Sequence, residues 1–143
     1  MSDILIVGVH NPAHVSRTVD FAVSQAKKSG AELHFVQVIE WSPYSFHTAE
    51  ELAERHKRRD QEIERALAIV KPIADKVNAS GGTATCEVRH GHAGEILCEI
   101  AKNKKATQIV IGRTGSSSLT QRLLGGLAIT LAQISPVPLT IVP

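Results

Sequence analysis

Short continuous runs of apolar residues alternate along this chain with longer stretches in which apolar residues recur every three or four positions. The first run, DILIVGV (Asp3 to Val9), has no charged residue after its first position, which is typical of a strand buried on both faces. The stretch that follows places Val15, Val19 and Ala22 on one face of a helix. The pattern therefore predicts a strand and then a helix, and this pair recurs until a final strand closes the chain.

The complete pattern predicts five strands and four helices. The predicted strands are residues 3–9, 32–40, 83–90, 107–112 and 135–143. The predicted helices are residues 12–30, 49 to about 79, a short helix within 91–106, and about 120–133. Because strands and helices alternate, we expect one domain, residues 1–143, of the α/β class, with an open, mainly parallel sheet and helices on both faces.

Proline and glycine mark several of the expected boundaries. Asn11 and Pro12 suit the N-cap and the first position of the first helix, and Gly30 suits its end. Pro72 lies inside the second helical stretch, where we expect it to kink or interrupt the helix because proline lacks an N–H. The alternating run of residues 83–90 predicts a strand near an edge of the sheet.

Composition narrows the classes of function. The chain has 143 residues, of which 43% are hydrophobic and 21% charged, and its net charge is +2. This charge is too small for an electrostatic nucleic-acid binder, and an aromatic content of 3% leaves few side chains to stack on bases. Cys86 and Cys98 have no metal-binding or redox spacing, so we expect core residues in a reducing cytoplasm. The first apolar run is too short to insert into a membrane.

The segment that carries recognisable chemistry is IGRTGSSSLTQRLLGG, residues 111–126, after the fourth predicted strand. Open α/β sheets bind ligands beyond the carboxyl ends of their strands, where the strand order reverses. Gly112 and Gly115 let the backbone approach a ligand, and Ser116 to Ser118 add hydroxyl donors. The next helix N-terminus favours negative charge, and Arg113 supplies a cation. The segment predicts a phosphate site; the alternative is a turn that binds nothing.

Other kinds of site have less support in the sequence. Neither a Walker motif nor a dinucleotide fingerprint is present. His10 and His14 have a spacing that could bring two imidazoles to a metal ion, but no third ligand presents itself. His90 and His92 are expected in a solvated loop. No pair of nucleophile and base is evident in the sequence, so we predict no catalysis.

Two further segments leave alternatives open. The charged residues 50–62 predict the solvated face of a helix, and a basic interaction surface is the alternative. The loop with Trp41, Tyr44 and Phe46 is expected to cover one rim of the sheet, and a mobile lid over the pocket is the alternative.

Several motifs together resemble the universal stress protein family over the whole chain. The first strand is similar to the family's ILVxVD, and a long charged connection follows the second strand. GHAGEI (Gly91 to Ile96) matches the family turn G-x-P/A-x-x-I. Gly112, Gly115 and Gly125 match the spacing of the signature G-x2-G-x9-G-[ST], and SPVPLTIVP is similar to the family ending PVLVV. On these motifs the chain is identified as a member of the family.

The resemblance implies a Rossmann-like sheet of five parallel strands in the order 3-2-1-4-5, with strands one and four at the switch point. It also implies an adenine nucleotide, ATP or AMP, with Mg²⁺ as a companion of the phosphates, and a homodimer formed through the fifth strand. The ends of strands one and two would meet adenine and ribose, and the glycine segments would hold the phosphates. The implied nucleotide-binding residues are Val9, His10, Asn11, Val38, Ile111, Gly112, Arg113, Gly115, Ser116, Gly125, Gly126, Leu127 and Ala128.

Two positions depart from the nucleotide-binding members of the family. His10 stands where they have aspartate, and Gly126 stands where the signature ends in serine or threonine. Ala128 removes a further hydroxyl. Each lost hydrogen bond is worth on the order of 1 kcal/mol, so together they would weaken binding by roughly 10- to 100-fold.

Three hypotheses for function follow. The first is a cytoplasmic regulatory module of the stress response that binds an adenine nucleotide. The second is a scaffold that binds no nucleotide and acts through dimerisation and protein contacts. The third is a slow ATPase or phosphotransferase, for which the sequence offers no water-positioning group or metal site.

Overall fold

Strands and helices alternate throughout the part of the chain that the computed structural model describes, residues 3–9, 15–40, 49–113 and 126–143. The elements there are β1 (Ile4–Gly8), α1 (Val15–Ser29), β2 (Glu32–Ile39), α2 (Ala49–Ala79), β3 (Ala84–His90), α3 (Ala93–Asn103), β4 (Gln108–Gly112), α4 (Gly126–Ile134) and β5 (Leu139–Val142). Their order confirms the prediction. The proposed cap at Asn11 and Pro12, and the start of the last helix near residue 120, lie outside the described residues.

The five strands form one parallel sheet in the order β3-β2-β1-β4-β5. Ile6 in the central strand β1 is level with His34 of β2 on one side and with Ile109 of β4 on the other. The expected strand order is confirmed, and β3 is an edge strand as its alternating sequence indicated. The order reverses between β1 and β4, which places the switch point at the carboxyl ends of these two strands.

Two layers of apolar side chains cover the two faces of the sheet, because successive residues of a strand point in opposite directions. One layer joins the sheet to α1 and α2 and includes Val7, Ala22, Phe35, Val70 and Val110. The other joins it to α3 and α4 and includes Ile6, Val36, Leu97, Ile109 and Leu131. The strands read as continuous apolar runs because both faces are buried.

The helix α2 runs without a break through Pro72, so the expectation that this residue interrupts the helix is wrong. Ala66, Val70, Ala74 and Val77, before and after the proline, are buried on the helix face toward the core. Pro72 itself is exposed, so water can reach the Ala68 carbonyl that its missing N–H leaves without a helical partner. Packing on both sides of Pro72 therefore holds α2 in one piece.

At the start of the edge strand β3, a side chain instead of another strand forms hydrogen bonds with the outward-facing backbone groups. The Ala84 N–H donates to Oδ1 of Asn78 at 2.8 Å, and Nδ2 of Asn78 donates to the Ala84 carbonyl at 2.9 Å. Asn78 lies in the last turn of α2, and Gly81 with φ of 96° turns the chain between the two. One side chain thus satisfies both backbone groups at the start of this edge.

Candidate functional site

A cleft of about 520 Å³ opens at the carboxyl edge of the sheet. Three parts of the chain form its walls: the end of β2, the turn into α3, and the first residues of α4 in the described structure. The lining residues are Val38, Glu40, His92, Ala93, Gly126, Leu127 and Thr130. The volume lies within the range of small-molecule sites, and the wall combines apolar surface with a few polar groups, as such sites do.

The turn from β3 into α3 brings the amino end of this helix to the cleft. The Gly91 N–H donates to the Ile39 carbonyl at 3.0 Å, and Gly91 adopts φ of 144°, which favours glycine. His92 follows as N-cap, and its carbonyl accepts the Ile96 N–H at 3.0 Å. The His92 side chain makes no capping hydrogen bond and is exposed. The positive end of α3 therefore faces the cleft beside this imidazole.

Three of the residues assigned from the sequence meet in this cleft: Val38, Gly126 and Leu127. Val9, Ile111 and Ala128 are instead buried in the core, with 2%, 0% and 2% of their surface exposed. His10, Asn11, Gly115, Ser116 and Gly125 lie outside the described residues.

Gly112 and Arg113 close the carboxyl end of β4. A Cβ placed on Gly112 would lie 2.7 Å from Oγ1 of Thr18, so glycine is what lets α1 approach the sheet here. The Arg113 N–H donates to the Val142 carbonyl at 2.7 Å. The Arg113 N–H is therefore already hydrogen-bonded within the sheet. Arg113 is exposed, so its side-chain guanidinium is the group that could bind a phosphate.

Sequence reasoning missed four residues of the cleft: Glu40, His92, Ala93 and Thr130. Glu40 and His92 follow the ends of β2 and β3, where ligands of such sheets bind, so their positions were a usable signal. His92 is exposed, as expected of a solvated loop residue, but it also lines the cleft. The same expectation is wrong for His90, which is the last residue of β3, has 7% of its side chain exposed, and places Nε2 3.5 Å from Oε2 of Glu62. Thr130 gave no signal, because it reaches the wall only through the packing of α3 on α4.

The side-chain charges of the cleft favour the uncharged part of a ligand, whereas the positive end of α3 favours an anionic group. Among its lining residues in the described structure, Glu40 supplies a carboxylate, and none is a lysine or arginine. A polyphosphate would meet repulsion at Glu40, whereas a nucleobase or ribose would find hydrogen-bonding partners at Glu40, His92 and Thr130. The described cleft is therefore suited to a nucleoside.

A second polar cluster lies away from the cleft, on β2 and the edge strand β3. His34, with 4% of its surface exposed, places Nδ1 2.5 Å from Oγ1 of Thr85 and Nε2 2.7 Å from Oε1 of Glu87. Burial lowers the pKa of His34; the Lys104 charge acts in the same direction, while the Glu87 hydrogen bond and charge raise it. The structure thus brings a hydroxyl and an imidazole into a hydrogen bond that the sequence did not reveal, because Thr85 and His34 are 51 residues apart.

The described residues show no membrane-crossing candidate, since none of their helices combines the necessary length with enough apolar character. They also contain no group of three or more His, Cys, Asp or Glu side chains that could hold a metal ion. The possible metal pair at His10 and His14 lies outside these residues.

The comparisons with known proteins agree with this architecture. The model of the family described as "Universal stress protein family" matches residues 1–143. A universal stress protein of Methanocaldococcus jannaschii is 31% identical over 125 residues, which is 85% of this chain and 70% of that protein. The solved structure of the universal stress protein UspA of Lactobacillus plantarum superimposes with a TM-score of 0.84 at 20% identity, over 99% of this chain and 97% of that one. A solved universal stress protein in complex with cAMP has a TM-score of 0.65 at 26% identity, over 99% and 96%.

Proposed function

Because the chain belongs to the universal stress protein family, we propose that it is a regulatory module of the stress response that binds an adenine nucleotide, ATP or AMP, at the carboxyl edge of the sheet. The observation that carries the proposal is the cleft of about 520 Å³, in which Val38, Gly126 and Leu127 come together. The relative in complex with cAMP, at 26% identity, supports an adenine nucleotide as the class of ligand.

The nucleoside is the part of the ligand that the cleft would hold. Val38 and Leu127 provide apolar surface for the base, and Glu40 and Thr130 provide hydrogen-bonding partners for its amino group or for ribose hydroxyls. The phosphates would extend toward the Arg113 guanidinium and the segment with Gly115, Ser116 and Gly125. Mg²⁺ enters the proposal only as a companion of the ATP phosphates.

Calorimetric titration of the purified protein with ATP, AMP and cAMP tests the proposal. Gly126→Leu should abolish binding, because a Cβ at Gly126 has no atom of the described residues within 4 Å and a larger side chain there would extend into the cleft. Ala132→Leu is the matched control, since Ala132 is an exposed residue of the same helix that does not line the cleft. The absence of heat and of a thermal shift at millimolar nucleotide would reject nucleotide binding.

The alternative is a scaffold that binds no nucleotide, and His10 and Gly126 are the observations that favour it. A His10→Asp and Gly126→Ser double variant restores the family residues at both positions. If the double variant binds ATP and the natural protein does not, the scaffold function is supported. If both bind, the backbone and the cleft are sufficient for the ligand.

The outer edge of β5 is the proposed surface of a homodimer. The Pro138 carbonyl accepts the Ile109 N–H of β4, and the Val142 carbonyl accepts the Arg113 N–H just after β4. The alternate residues Leu139 and Ile141 therefore direct their backbone groups away from β4. An unpaired edge of this kind is satisfied by a second copy. Light scattering at micromolar concentration should find a dimer; a monomer would contradict this proposal.

A pair of variants separates the backbone contribution of this edge from its side chains. Ile141→Ala shortens the side chain and keeps the N–H, whereas Ile141→Pro also removes the N–H. We expect the proline variant to weaken the dimer more than the alanine variant. Equal dimerisation of the two would show that the edge does not pair through Ile141.

The proposed module acts in the cytoplasm, where Cys86 and Cys98 would remain the free thiols that they are in this structure. Turnover of the nucleotide is not part of the proposal. A phosphate-release assay with ATP distinguishes a binding module from a slow ATPase. Sustained release of phosphate by the purified protein would support the third hypothesis, a slow ATPase or phosphotransferase.

A further inference from the structure

Thr85, His34 and Glu87 form a hydrogen-bonded chain on the face of the sheet that carries α3. His34 and Thr85 are partners in the parallel register of β2 and β3, so their side chains emerge side by side. Glu87 is two residues beyond Thr85 on the same strand and therefore lies on the same face. The two hydrogen bonds, 2.5 Å to Thr85 and 2.7 Å to Glu87, use both nitrogens of the imidazole.

The donors and acceptors of this chain define its direction. An ionised Glu87 can only accept, so His34 Nε2 carries the proton and donates it to Glu87. In the neutral imidazole Nδ1 is then the acceptor, and the Thr85 hydroxyl donates to it. Burial, which lowers the pKa of His34, favours this neutral form. The Thr85 hydroxyl thus faces a neutral base that a carboxylate holds in one orientation.

Exposure distinguishes this cluster from an ordinary buried network. His34 is buried, with 4% of its surface exposed, whereas Thr85 is exposed on the edge strand. A hydroxyl that donates to an imidazole, which in turn donates to a carboxylate, is the arrangement that activates hydroxyl nucleophiles. Here the residue that carries the hydroxyl is exposed on the edge strand.

We propose that Thr85 is an activated acceptor that takes acyl groups from activated carboxylic esters, with His34 as its general base and Glu87 as the residue that positions His34. The Thr85 oxygen forms a bond to the acyl carbon while its proton passes to His34 Nδ1. The bond between that carbon and the ester oxygen breaks, and the alcohol or phenol part leaves with the electron pair. The product is an ester on Thr85, and His34 returns its proton to solvent. This inference is independent of nucleotide binding.

The charged groups around His34 come from β3 and α3. Glu87 faces Nε2 directly, and Arg89 lies 3.9 Å from the other Glu87 oxygen and 3.6 Å from Glu99 of α3. Lys104, just beyond α3, acts on His34 through its charge. Two cations, Arg89 and Lys104, therefore lie near the hydrogen-bonded chain.

The test uses the full chain and p-nitrophenyl acetate, with the modified residues identified by peptide mass mapping. Thr85 should be acetylated at least about 10-fold faster than Thr107, an exposed threonine whose hydroxyl donates to the Ile4 carbonyl at 3.3 Å. Hydroxylamine should remove the label from Thr85, because it cleaves an ester and spares acetylated lysine. Thr85→Val should eliminate the label at this position only.

Two variants and a pH profile separate activation from mere exposure. His34→Gln should slow labelling of Thr85 by about 100-fold and Glu87→Gln by about 10-fold, with Thr107 unchanged. Labelling of Thr85 should also fall as the pH drops and His34 takes up a proton. If His34→Gln does not fold, the Glu87→Gln variant and the pH profile show whether Thr85 is activated or merely exposed. Labelling of Thr85 at the rate of Thr107, or at a rate that His34 does not affect, would overturn the proposal.

Discussion

Gly94 of α3 lies against Thr130 of α4 with no space for a side chain between them. A Cβ placed on Gly94 would lie 2.7 Å from Cγ2 of Thr130 and 3.5 Å from Cβ of the same residue. It would also lie 3.5 Å from Cε1 of His92. Because Thr130 and His92 both line the cleft, the contact that packs α3 on α4 also sets the shape of the candidate binding site.

Gly94→Ala should therefore reduce stability and ligand binding together. The added methyl group must displace Thr130 or separate the two helices, at a cost of about 1–3 kcal/mol in the free energy of unfolding. Chemical denaturation measures this cost, and titration with an adenine nucleotide measures the effect on the cleft. Gly126→Ala is the control for stability, because its Cβ has no neighbour within 4 Å in the described part of the chain. It should change the free energy of unfolding by at most about 0.5 kcal/mol. Equal stability of the two variants would contradict the close packing.

The approach of Gly112 to Thr18 predicts a coupled pair of substitutions. Gly112→Ala should destabilise the protein by about 1–3 kcal/mol, since its Cβ would lie 2.7 Å from the buried Thr18 hydroxyl. Thr18→Ala removes that oxygen, and the next nearest atom, the Cβ of Thr18, is 4.0 Å away. The double variant should therefore be more stable than the sum of the single effects indicates, by about 1 kcal/mol in a double-mutant cycle. Simple additivity would mean that the contact is not what constrains Gly112.

The bridge from Asn78 to Ala84 should contribute measurably to stability. Asn78→Ala leaves the N–H and carbonyl of Ala84 without their side-chain partner, and we expect a loss of about 1–3 kcal/mol in urea denaturation. Asn78→Asp keeps an acceptor for the N–H but sets a carboxylate oxygen against the carbonyl, so it should also destabilise. Asn103→Ala, an exposed asparagine at the end of α3, is the matched control and should lie within about 0.5 kcal/mol of the natural protein.

Stability should depend on pH through His34. Burial, the largest cause, lowers the pKa of His34 in the folded protein from its ordinary value of 6.5, so below that pH the unfolded chain binds a proton more readily than the folded one. The free energy of unfolding should therefore be highest above about pH 6.5 and fall as the pH decreases toward the pKa of the folded state, by at most about 1.4 kcal/mol per pH unit.

Denaturation series at several pH values check this dependence on His34. In His34→Gln the free energy of unfolding should decrease less below about pH 6.5 than it does in the natural protein. His92→Gln, which changes an exposed histidine, should leave the fall unchanged. A fall of the same size in all three proteins would assign the pH dependence to other groups.

The fold was largely predictable because its signals are local. Continuous apolar runs indicate strands buried on both faces. Such runs form β1, the middle strand of the sheet, and β4, which lies between β1 and the edge strand β5. Pro72 shows where a local rule failed: the same residue type that ends an isolated helix is tolerated in α2, because packing before and after it holds the helix on the sheet. The family motifs then supplied the strand order, which local patterns leave open.

The candidate site was predictable only in part. Val38 was assigned from the end of the second strand, and Gly126 and Leu127 were assigned from the glycine signature at fixed spacing. All three line the cleft. Glu40, His92 and Thr130 join them through the packing of separate elements, and Thr130 in particular depends on the close contact with Gly94. His10, Gly115, Ser116 and Gly125 lie outside the described residues and stay predictions.

The amino-acid sequence by itself determined the elements, their order, and the family to which the chain is assigned, because hydrophobic periodicity and glycine spacing are properties of neighbouring residues. Only the tertiary structure decided which distant side chains meet. Thr85 and His34 are 51 residues apart and touch because β2 and β3 pair in one register, in which a shift of one residue would turn each side chain to the other face. A chemical role that depends on such a contact cannot be predicted from the sequence until the pairing of the strands is known.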